Sequence, residues 1–256
     1  MDVVLLAAIL ATIVLGTYFQ TVTGFGLGII VIGICVTFNL TSLPVIAAVV
    51  SIVTFFNCFV ALAGKPFTGE GKIMTALVIG VIPGVVVGVF LLGELSESST
   101  NVLRGLLGAM IMLAGLNFMF KPSTLAHRSL PAAFLLSGFG SGFAGGLFGM
   151  AGPPIVFHLY RQPFTIEVVR SILLMVFACT SASRTVYVYA SGALESQILI
   201  LSVLAIPLVA LVTGLARRYP PSVSSQILRS IVFSVLMLIG AQLLLSALWD
   251  ARALLV

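Results

Sequence analysis

Charged residues are scarce in this chain. Only 7% of its 256 residues are Asp, Glu, Lys or Arg, while 60% are hydrophobic. An ordinary soluble domain has about a quarter of its residues charged. The composition excludes a soluble globular protein, a disordered tail and a nucleic-acid-binding protein. We therefore expect a membrane protein whose surroundings are a lipid bilayer.

Cysteine and histidine are also few, and they form no recognisable metal or catalytic motif. The three cysteines, Cys35, Cys58 and Cys179, lie inside apolar runs and make no CxxC pair. There are two histidines and no HExxH motif. Disulfides, metal ligands and the nucleophile–base sets of a membrane enzyme are therefore not indicated. No cofactor and no catalytic residue is predicted.

The apolar residues fall into segments of membrane-spanning length. A helix needs about 20 apolar residues to cross about 30 Å of hydrocarbon. The candidate single spans are 43–63, 73–92, 101–120, 168–190, 197–215 and 226–249. Two more stretches, 3–39 and 131–160, are too long for one crossing and are interrupted by glycine. The sequence predicts ten helical segments in a single all-α transmembrane domain, 1–256.

The positions of the basic residues predict the orientation. They cluster at four connections, as Lys65 and Lys72, Lys121 and Arg128, Arg161 and Arg170, and Arg217, Arg218 and Arg229. Assigning these to the cytoplasm places 9 of the 12 basic residues inside and leaves Arg104 and Arg252 near the outer side. Both long stretches must then enter and return on one side, as helical hairpins, and both termini lie outside. The second hairpin is predicted to stop inside the membrane.

Short segments recur at a nearly constant spacing, which predicts an internal repeat. Residues 101–104 resemble 226–229, 112–115 resemble 237–240, Ile82-Pro83 matches Ile206-Pro207, and Phe25-Gly26 matches Phe148-Gly149. With the charge pattern, this indicates two inverted-topology repeats, 1–122 and 123–256, each a glycine-broken hairpin followed by three transmembrane helices. Many secondary transporters have this architecture. The alternative is an old duplication in a membrane protein that transports nothing.

Glycine-rich sequence interrupts each long stretch. The first motif is Gly24-Phe25-Gly26-Leu27-Gly28, and the second runs from Gly138 to Pro154 and ends in Gly-Pro-Pro. This pattern resembles the TauE/SafE sulfite exporter family, also called the toluene-sulfonate-uptake permease family, over essentially the whole chain. The resemblance implies transport of sulfur-containing oxyanions such as sulfite, sulfonates or sulfoacetate across a bacterial inner membrane, often as export. It leaves the particular anion and the direction open.

The residues at the breaks themselves suggest an anion site. Proline is preferred in the first turn of a helix, so Pro153-Pro154 predicts that a short helix begins there. A second helix is expected to begin after Gly26. Two helix N-termini, each with about half a positive charge and unpaired N–H groups, would then meet near the midplane. The alternative is that the glycines only allow close helix packing.

The few charges support the same interpretation. All seven acidic residues lie at segment ends, whereas carriers coupled to sodium or protons usually place a carboxylate deep in the membrane. Arg184 is the only basic residue well inside a predicted span. We interpret it as the counter-charge of the substrate or as a gate residue. The alternative is that its side chain extends to the outer membrane surface.

Polar residues near the breaks complete the predicted site. The substrate-binding candidates are Gln20, Thr21, Thr23, Gly24, Phe25, Gly26, Asn57, Gly149, Met150, Gly152, Pro153, Pro154, His158, Ser181, Arg184 and Tyr187. Amide and hydroxyl groups can donate to oxyanions, and His158 could titrate for proton coupling. For each polar residue, hydrogen bonding between helices is the alternative role, and for His158 it is packing.

The combined prediction is a secondary transporter for a small anionic substrate. Export is favoured because a cell that is negative inside drives an anion outward by ~2.3 kcal/mol per charge per 100 mV. An anion channel and a carboxylate permease of similar architecture are the alternatives. Formation of a homodimer is left open.

Overall fold

A computed structural model describes residues 2–63, 70–98, 100–119, 124–219 and 225–253. The described chain is all helical. Its helices are α1 (Val3–Thr23), α2 (Leu27–Thr37), α3 (Leu43–Leu62), α4 (Gly71–Ser98), α5 (Thr100–Met119), α6 (Pro131–Phe148), α7 (Gly152–Tyr160), α8 (Ile166–Ala190), α9 (Ser196–Arg218) and α10 (Ser225–Ala253). Lys65 and Lys121 lie outside the described residues, as do the side chains of Arg229 and Arg252.

The predicted spans correspond to helices of the structure. The described chain has six helices long and apolar enough to cross a membrane, namely α1, α3, α4, α6, α8 and α9. The described apolar parts of α5 and α10, Asn101–Leu116 and Ser234–Trp249, are shorter. The chain is therefore a polytopic all-α membrane protein. A broken pair followed by three long helices occurs twice, and the inverted relation of the two halves stays a prediction.

The stretch 3–39 is broken as predicted. Helix α1 ends at Gly24, and α2 begins after Gly26; both glycines have a left-handed backbone, with φ of +91° and +112°. Glycine adopts this conformation without the steric cost that a Cβ imposes. The arms are antiparallel, because Gly16 of α1 lies against Leu27 and Val31 of α2. This is the first helical hairpin.

The second hairpin has one long and one short arm. Helix α6 ends at Gly149, whose φ is +70°, and α7 starts at Gly152 with proline in its first turn. The ring of Phe134 in α6 contacts His158 in α7, at 4.8 Å between centroids, so these arms are also antiparallel. The nine residues of α7 extend only about 14 Å at 1.5 Å per residue. The predicted short arm is confirmed.

Helices α4 and α6 touch along their backbones. Each presents a glycine every fourth residue, Gly80, Gly84 and Gly88 on α4 and Gly138, Gly142 and Gly146 on α6. A Cβ at any of these six positions would overlap the backbone of the facing helix. Such stripes of small residues let membrane helices approach closely. For these glycines of the second motif, the packing interpretation is therefore correct.

Helix α3 lies at the centre of the protein. Two thirds of its apolar window (67%) is buried inside the protein, against at most 50% for the other five spanning helices. Beside it, α8 contributes buried polar residues from its middle. The acidic residues whose side chains the structure describes lie at or near helix ends, not in the middle of a helix. They are Asp2, Glu70, Glu94, Glu167 and Glu195.

Candidate functional site

The two helix breaks meet in the interior. A Cβ placed on Gly28, in the first turn of α2, would lie 2.9 Å from the Gly149 carbonyl oxygen and 3.0 Å from Met150 Cβ. A cavity of about 20 Å³ lies at this junction. It is lined by Gln20, Gly26, Gly28, Ile29, Ser51, Thr54, Gly145, Gly149, Met150, Ala151, Gly152, Phe177, Thr180 and Ser181. None of these lining residues is charged, and the space suffices for roughly one water molecule.

At the first break, a side chain accepts a hydrogen bond from one of the N-terminal amides of α2. The Leu27 amide donates to Gln20 Oε1 at 3.2 Å. Gln20 is in turn positioned by Asn57, whose Oδ1 accepts from Gln20 Nε2 at 2.7 Å. The next residues of α2, Gly28 and Ile29, line the cavity, and the amides of a first helical turn have no acceptor within their own helix. They are the donors that this break offers.

At the second break, proline removes donors. The first four positions of the α7 N-terminus run from Ala151 to Pro154, and Pro153 and Pro154 have no N–H. The amides of Ala151 and Gly152 remain, and both residues line the cavity. The N-terminus of α7 therefore has two amide donors in its first four positions. The prolines that start α7 also halve its supply of amide donors.

Hydroxyl groups of α3 and α8 complete the cavity wall. Thr54 is only 7% exposed, and within the described structure its Oγ1 has no hydrogen-bond partner. Ser51, Thr180 and Ser181 line the cavity with it. Ser51 and Thr54 were not among the predicted site residues. The available signal was their spacing of three residues in an apolar span, which places them on one helix face.

Arg184 lies next to the cavity but does not line it. Its side chain is 1% exposed; Nε donates to the Gly146 carbonyl at 3.0 Å, and Nη1 donates to Ser51 Oγ at 3.3 Å. The alternative in which this side chain extends to the membrane surface is therefore wrong. Ser51 Oγ itself donates to the Ala47 carbonyl at 2.9 Å, so it can accept from the guanidinium.

A larger cavity lies on the other side of Arg184. This vestibule has a volume of about 410 Å³ and lies between α3, α4, α8 and the start of α9. Arg184 and Tyr187, which are one helical turn apart, line it together. Two exposed carboxylates, of Glu94 and Glu195, also line it. Arg184 thus separates an uncharged inner cavity from an acidic outer one.

Several predicted site residues stabilise the breaks instead of lining the cavity. Thr23 Oγ1 lies within hydrogen-bond distance of the Phe19 and Phe25 carbonyls, at 2.9 and 2.8 Å. Phe25 is fully buried and makes edge contacts with the rings of Phe19 and Tyr160, each at 6.4 Å. These contacts hold the loop between α1 and α2 in place.

His158 is not brought to the cavity. Its ring packs against Phe134, and one ring nitrogen lies 3.5 Å from Gln162 Nε2. Of the predicted site residues, those that line the cavity are Gln20, Gly26, Gly149, Met150, Gly152 and Ser181. Those that the structure places elsewhere are Thr21, Thr23, Gly24, Phe25, Asn57, Pro153, Pro154, His158, Arg184 and Tyr187.

Comparisons with known proteins agree with the resemblance noted in the sequence. Residues 8–243 match the family described as sulfite exporter TauE/SafE. The chain is also similar to a protein of Cupriavidus necator described as "Probable sulfite/organosulfonate exporter TauE". The two are 43% identical over 233 residues, which cover 91% of each chain. No solved structure matches the chain significantly.

Proposed function

Because the chain belongs to the TauE/SafE sulfite exporter family, we propose that it is a secondary transporter that exports a small sulfur oxyanion, sulfite or an organosulfonate, through the bacterial inner membrane. The observation that carries this proposal is the uncharged cavity at the junction of the two helix breaks. Helix N-termini in such a position attract anions through their dipoles and their unpaired amides.

The donors around the cavity suit an oxyanion. Sulfite and sulfonates present three oxygen acceptors around one sulfur atom. The cavity offers backbone amides from both breaks and the hydroxyls of Thr54 and Ser181. Among the described lining residues there is no carboxylate that would repel an anion. The buried charge of Arg184 lies behind Ser51 and adds a favourable potential.

The cavity is too small for the substrate in this structure. Its volume of about 20 Å³ holds roughly one water molecule, and a sulfur oxyanion has at least four heavy atoms. Binding therefore requires the walls to separate, as alternating access demands. Export needs no further energy source, since the membrane potential drives an anion outward by ~2.3 kcal/mol per charge per 100 mV.

Thr54→Val is the substitution that tests the site. It removes the unpartnered hydroxyl of a residue that lines the cavity in the described structure and keeps the side-chain shape. We expect methanesulfonate and sulfite to bind about tenfold more weakly, from the loss of one hydrogen bond to a charged ligand, with folding stability unchanged or raised. Titration calorimetry and thermal unfolding of the purified protein measure the two effects.

Thr17→Val is the matched control. Thr17 of α1 is also buried with an unpartnered hydroxyl, but it does not line the cavity. It should leave anion affinity unchanged. Equal affinity loss in both variants would reject the cavity as the binding site. If carboxylates alone stabilise the wild-type protein, the proposed substrate class is wrong, while an anion site at the breaks survives.

Flux measurements in reconstituted vesicles test the transport mode. A carrier is expected to show saturable efflux that an opposing gradient of unlabelled substrate accelerates. A rapid voltage-dependent conductance would instead identify an anion channel.

A further inference from the structure

We propose that Arg184 is a two-position gate between the inner cavity and the vestibule. In the closed position it bonds Gly146 and Ser51, and in the open position it pairs with the vestibule carboxylates of Glu94 or Glu195. This inference rests on the proposed function, since it assigns the route by which the anion leaves the cavity.

Arg184 lies at the partition between the inner cavity and the vestibule. Ser51 lines the inner cavity, whereas Arg184 lines the vestibule. The hydrogen bond from Arg184 Nη1 to Ser51 Oγ therefore crosses the partition between the two spaces. Through its Nε bond to the Gly146 carbonyl, the same side chain joins α8 to the last turn of α6. One guanidinium thus ties three helices together at the rim of the site.

The present hydrogen-bond acceptors of Arg184 carry no charge. In the closed position its hydrogen bonds go to a carbonyl and a hydroxyl, both neutral, in an environment where the side chain is 1% exposed. A buried cation with neutral partners is poorly compensated. An oxyanion beside Ser51 would be a stronger acceptor, because charge-assisted hydrogen bonds are about twice as strong as neutral ones. Substrate arrival therefore draws the guanidinium away from Ser51 Oγ and releases the link between α8 and α3.

The vestibule contains hydrogen-bond acceptors for the displaced guanidinium. Glu94 and Glu195 line the same 410 Å³ space as Arg184, and both are exposed. Pairing with either one compensates the arginine outside the cavity. It also cancels one negative charge on the exit route, so that the leaving anion meets less repulsion. Two discrete positions of one side chain provide the bistable element that a gate requires.

Accessibility of a reporter cysteine tests the closed position. The reporter is Thr54→Cys in a background in which Cys35, Cys58 and Cys179 are replaced by alanine. It is labelled with a membrane-impermeant thiosulfonate applied to one face of membrane vesicles at a time. Ala193→Cys, exposed in the vestibule, identifies the face on which the vestibule opens.

Arg184→Gln should accelerate reporter labelling at least about tenfold from the vestibule face alone, because the closed position loses charge-assisted hydrogen bonds. Ser51→Ala keeps the arginine and should produce a smaller acceleration. Ser51→Ala also tests the gate by itself if the Arg184→Gln variant does not fold. Labelling at the wild-type rate in both variants would overturn the gate, and faster labelling from both faces would point to general loosening and overturn it too.

The open position is tested by transport. Glu94→Gln combined with Glu195→Gln should slow methanesulfonate efflux severalfold and leave methanesulfonate affinity unchanged. Glu167→Gln, an exposed carboxylate outside the vestibule, is the matched control and should have no effect. A wild-type efflux rate in the double variant would overturn the carboxylate position. Absence of sulfonate binding to the wild-type protein would instead reject the proposed function. The labelling experiment is run without substrate, so its result does not depend on the proposed function.

Discussion

The break between α1 and α2 and the break between α6 and α7 meet at one cavity, but different groups stabilise them. At the first break, side chains do most of this work: Gln20 accepts from the Leu27 amide, and Asn57 holds Gln20. At the second break, the side chain is a donor and not an acceptor, since Ser141 Oγ donates to the Ala151 carbonyl at 2.5 Å. The second break is also shaped by proline, which needs no amide acceptor.

This difference teaches that the two breaks supply amide donors to an anion site in different ways. The first offers the amides of Gly28 and Ile29 after Gln20 has taken one. The second offers those of Ala151 and Gly152, and its prolines offer none. Two breaks that look equivalent as glycine motifs therefore lose amide donors by different means, the first to a side-chain acceptor and the second to proline, and they differ in what keeps them rigid.

Helix α8 contacts both breaks through arginine. Arg184 donates to the Gly146 carbonyl near the end of α6, and Arg170 Nη2 donates to the Val22 carbonyl near the end of α1 at 2.6 Å. The last carbonyls of a helix have no partner within it. One helix thus satisfies such a carbonyl in the long arm of each hairpin, and both hairpins depend on its position.

The largest expected effect comes from the second break, where backbone packs on backbone. A Cβ at Gly149 would lie 2.8 Å from the Ala47 carbonyl oxygen, at a residue with φ of +70°. Gly149→Ala therefore adds a clash with α3 to the cost of a left-handed alanine. We expect a loss of about 2–5 kcal/mol in unfolding free energy and loss of transport, measured by denaturation in detergent and by vesicle efflux.

Gly192→Ala separates the two contributions. Gly192 has the same backbone conformation, with φ of +71°, but nothing lies within 4 Å of an added Cβ. Gly192→Ala should lower the unfolding free energy only by the backbone strain, about 1–2 kcal/mol, and leave transport intact. If both variants lose the same stability, the contact between the second break and α3 contributes nothing.

An intermediate effect is expected at the first break, where a side chain provides the acceptor. Gln20→Leu leaves the Leu27 amide and the Asn57 amide group without the partner they have now. Two buried polar groups lose hydrogen bonds, so we expect unfolding to become easier by about 1–3 kcal/mol. Gln242→Leu, at an exposed position on α10, is the control and should change little. Equal stability of the two variants would show that the first break does not need its cap.

The smallest expected effect restores a donor to the second break. Pro153→Ala supplies an amide hydrogen in the first turn of α7. We expect methanesulfonate to bind a few-fold more tightly, while stability falls by about 0.4–1 kcal/mol from the freer unfolded chain. Pro131→Ala, in the first turn of α6 and exposed, should lower stability alone. Unchanged affinity in Pro153→Ala would mean that the second break does not face the anion.

The positions of the breaks follow from local chemistry, which is why the sequence predicts them. Left-handed glycine ends α1 and α6, and proline begins α7 within one residue of the predicted start. The directions in which polar side chains point cannot be predicted from local chemistry, because they depend on how each helix is rotated in the assembled bundle. Ser51 and Thr54 point to the cavity, whereas Asn57, on the same helix, points to Gln20 and Thr213.

The partners of Arg184 could not be predicted either. Its acceptors, Gly146 and Ser51, are 38 and 133 residues away in the chain, and their proximity results from how α6, α3 and α8 pack. The same holds for the glycines of the second motif. Their spacing of four residues is visible in the sequence, but only the packed structure shows that α4 is the helix they meet.

The glycine contact between α4 and α6 has a consequence for how the protein is made. Helix α4 lies in the first half of the chain and α6 in the second. Because α6 follows α4 in the chain, the glycine face of α4 is made before the helix that covers it. That face is completed once α6 follows. We therefore expect the first half to be incomplete without the second, and the two to fold as one unit, not as two domains joined in series.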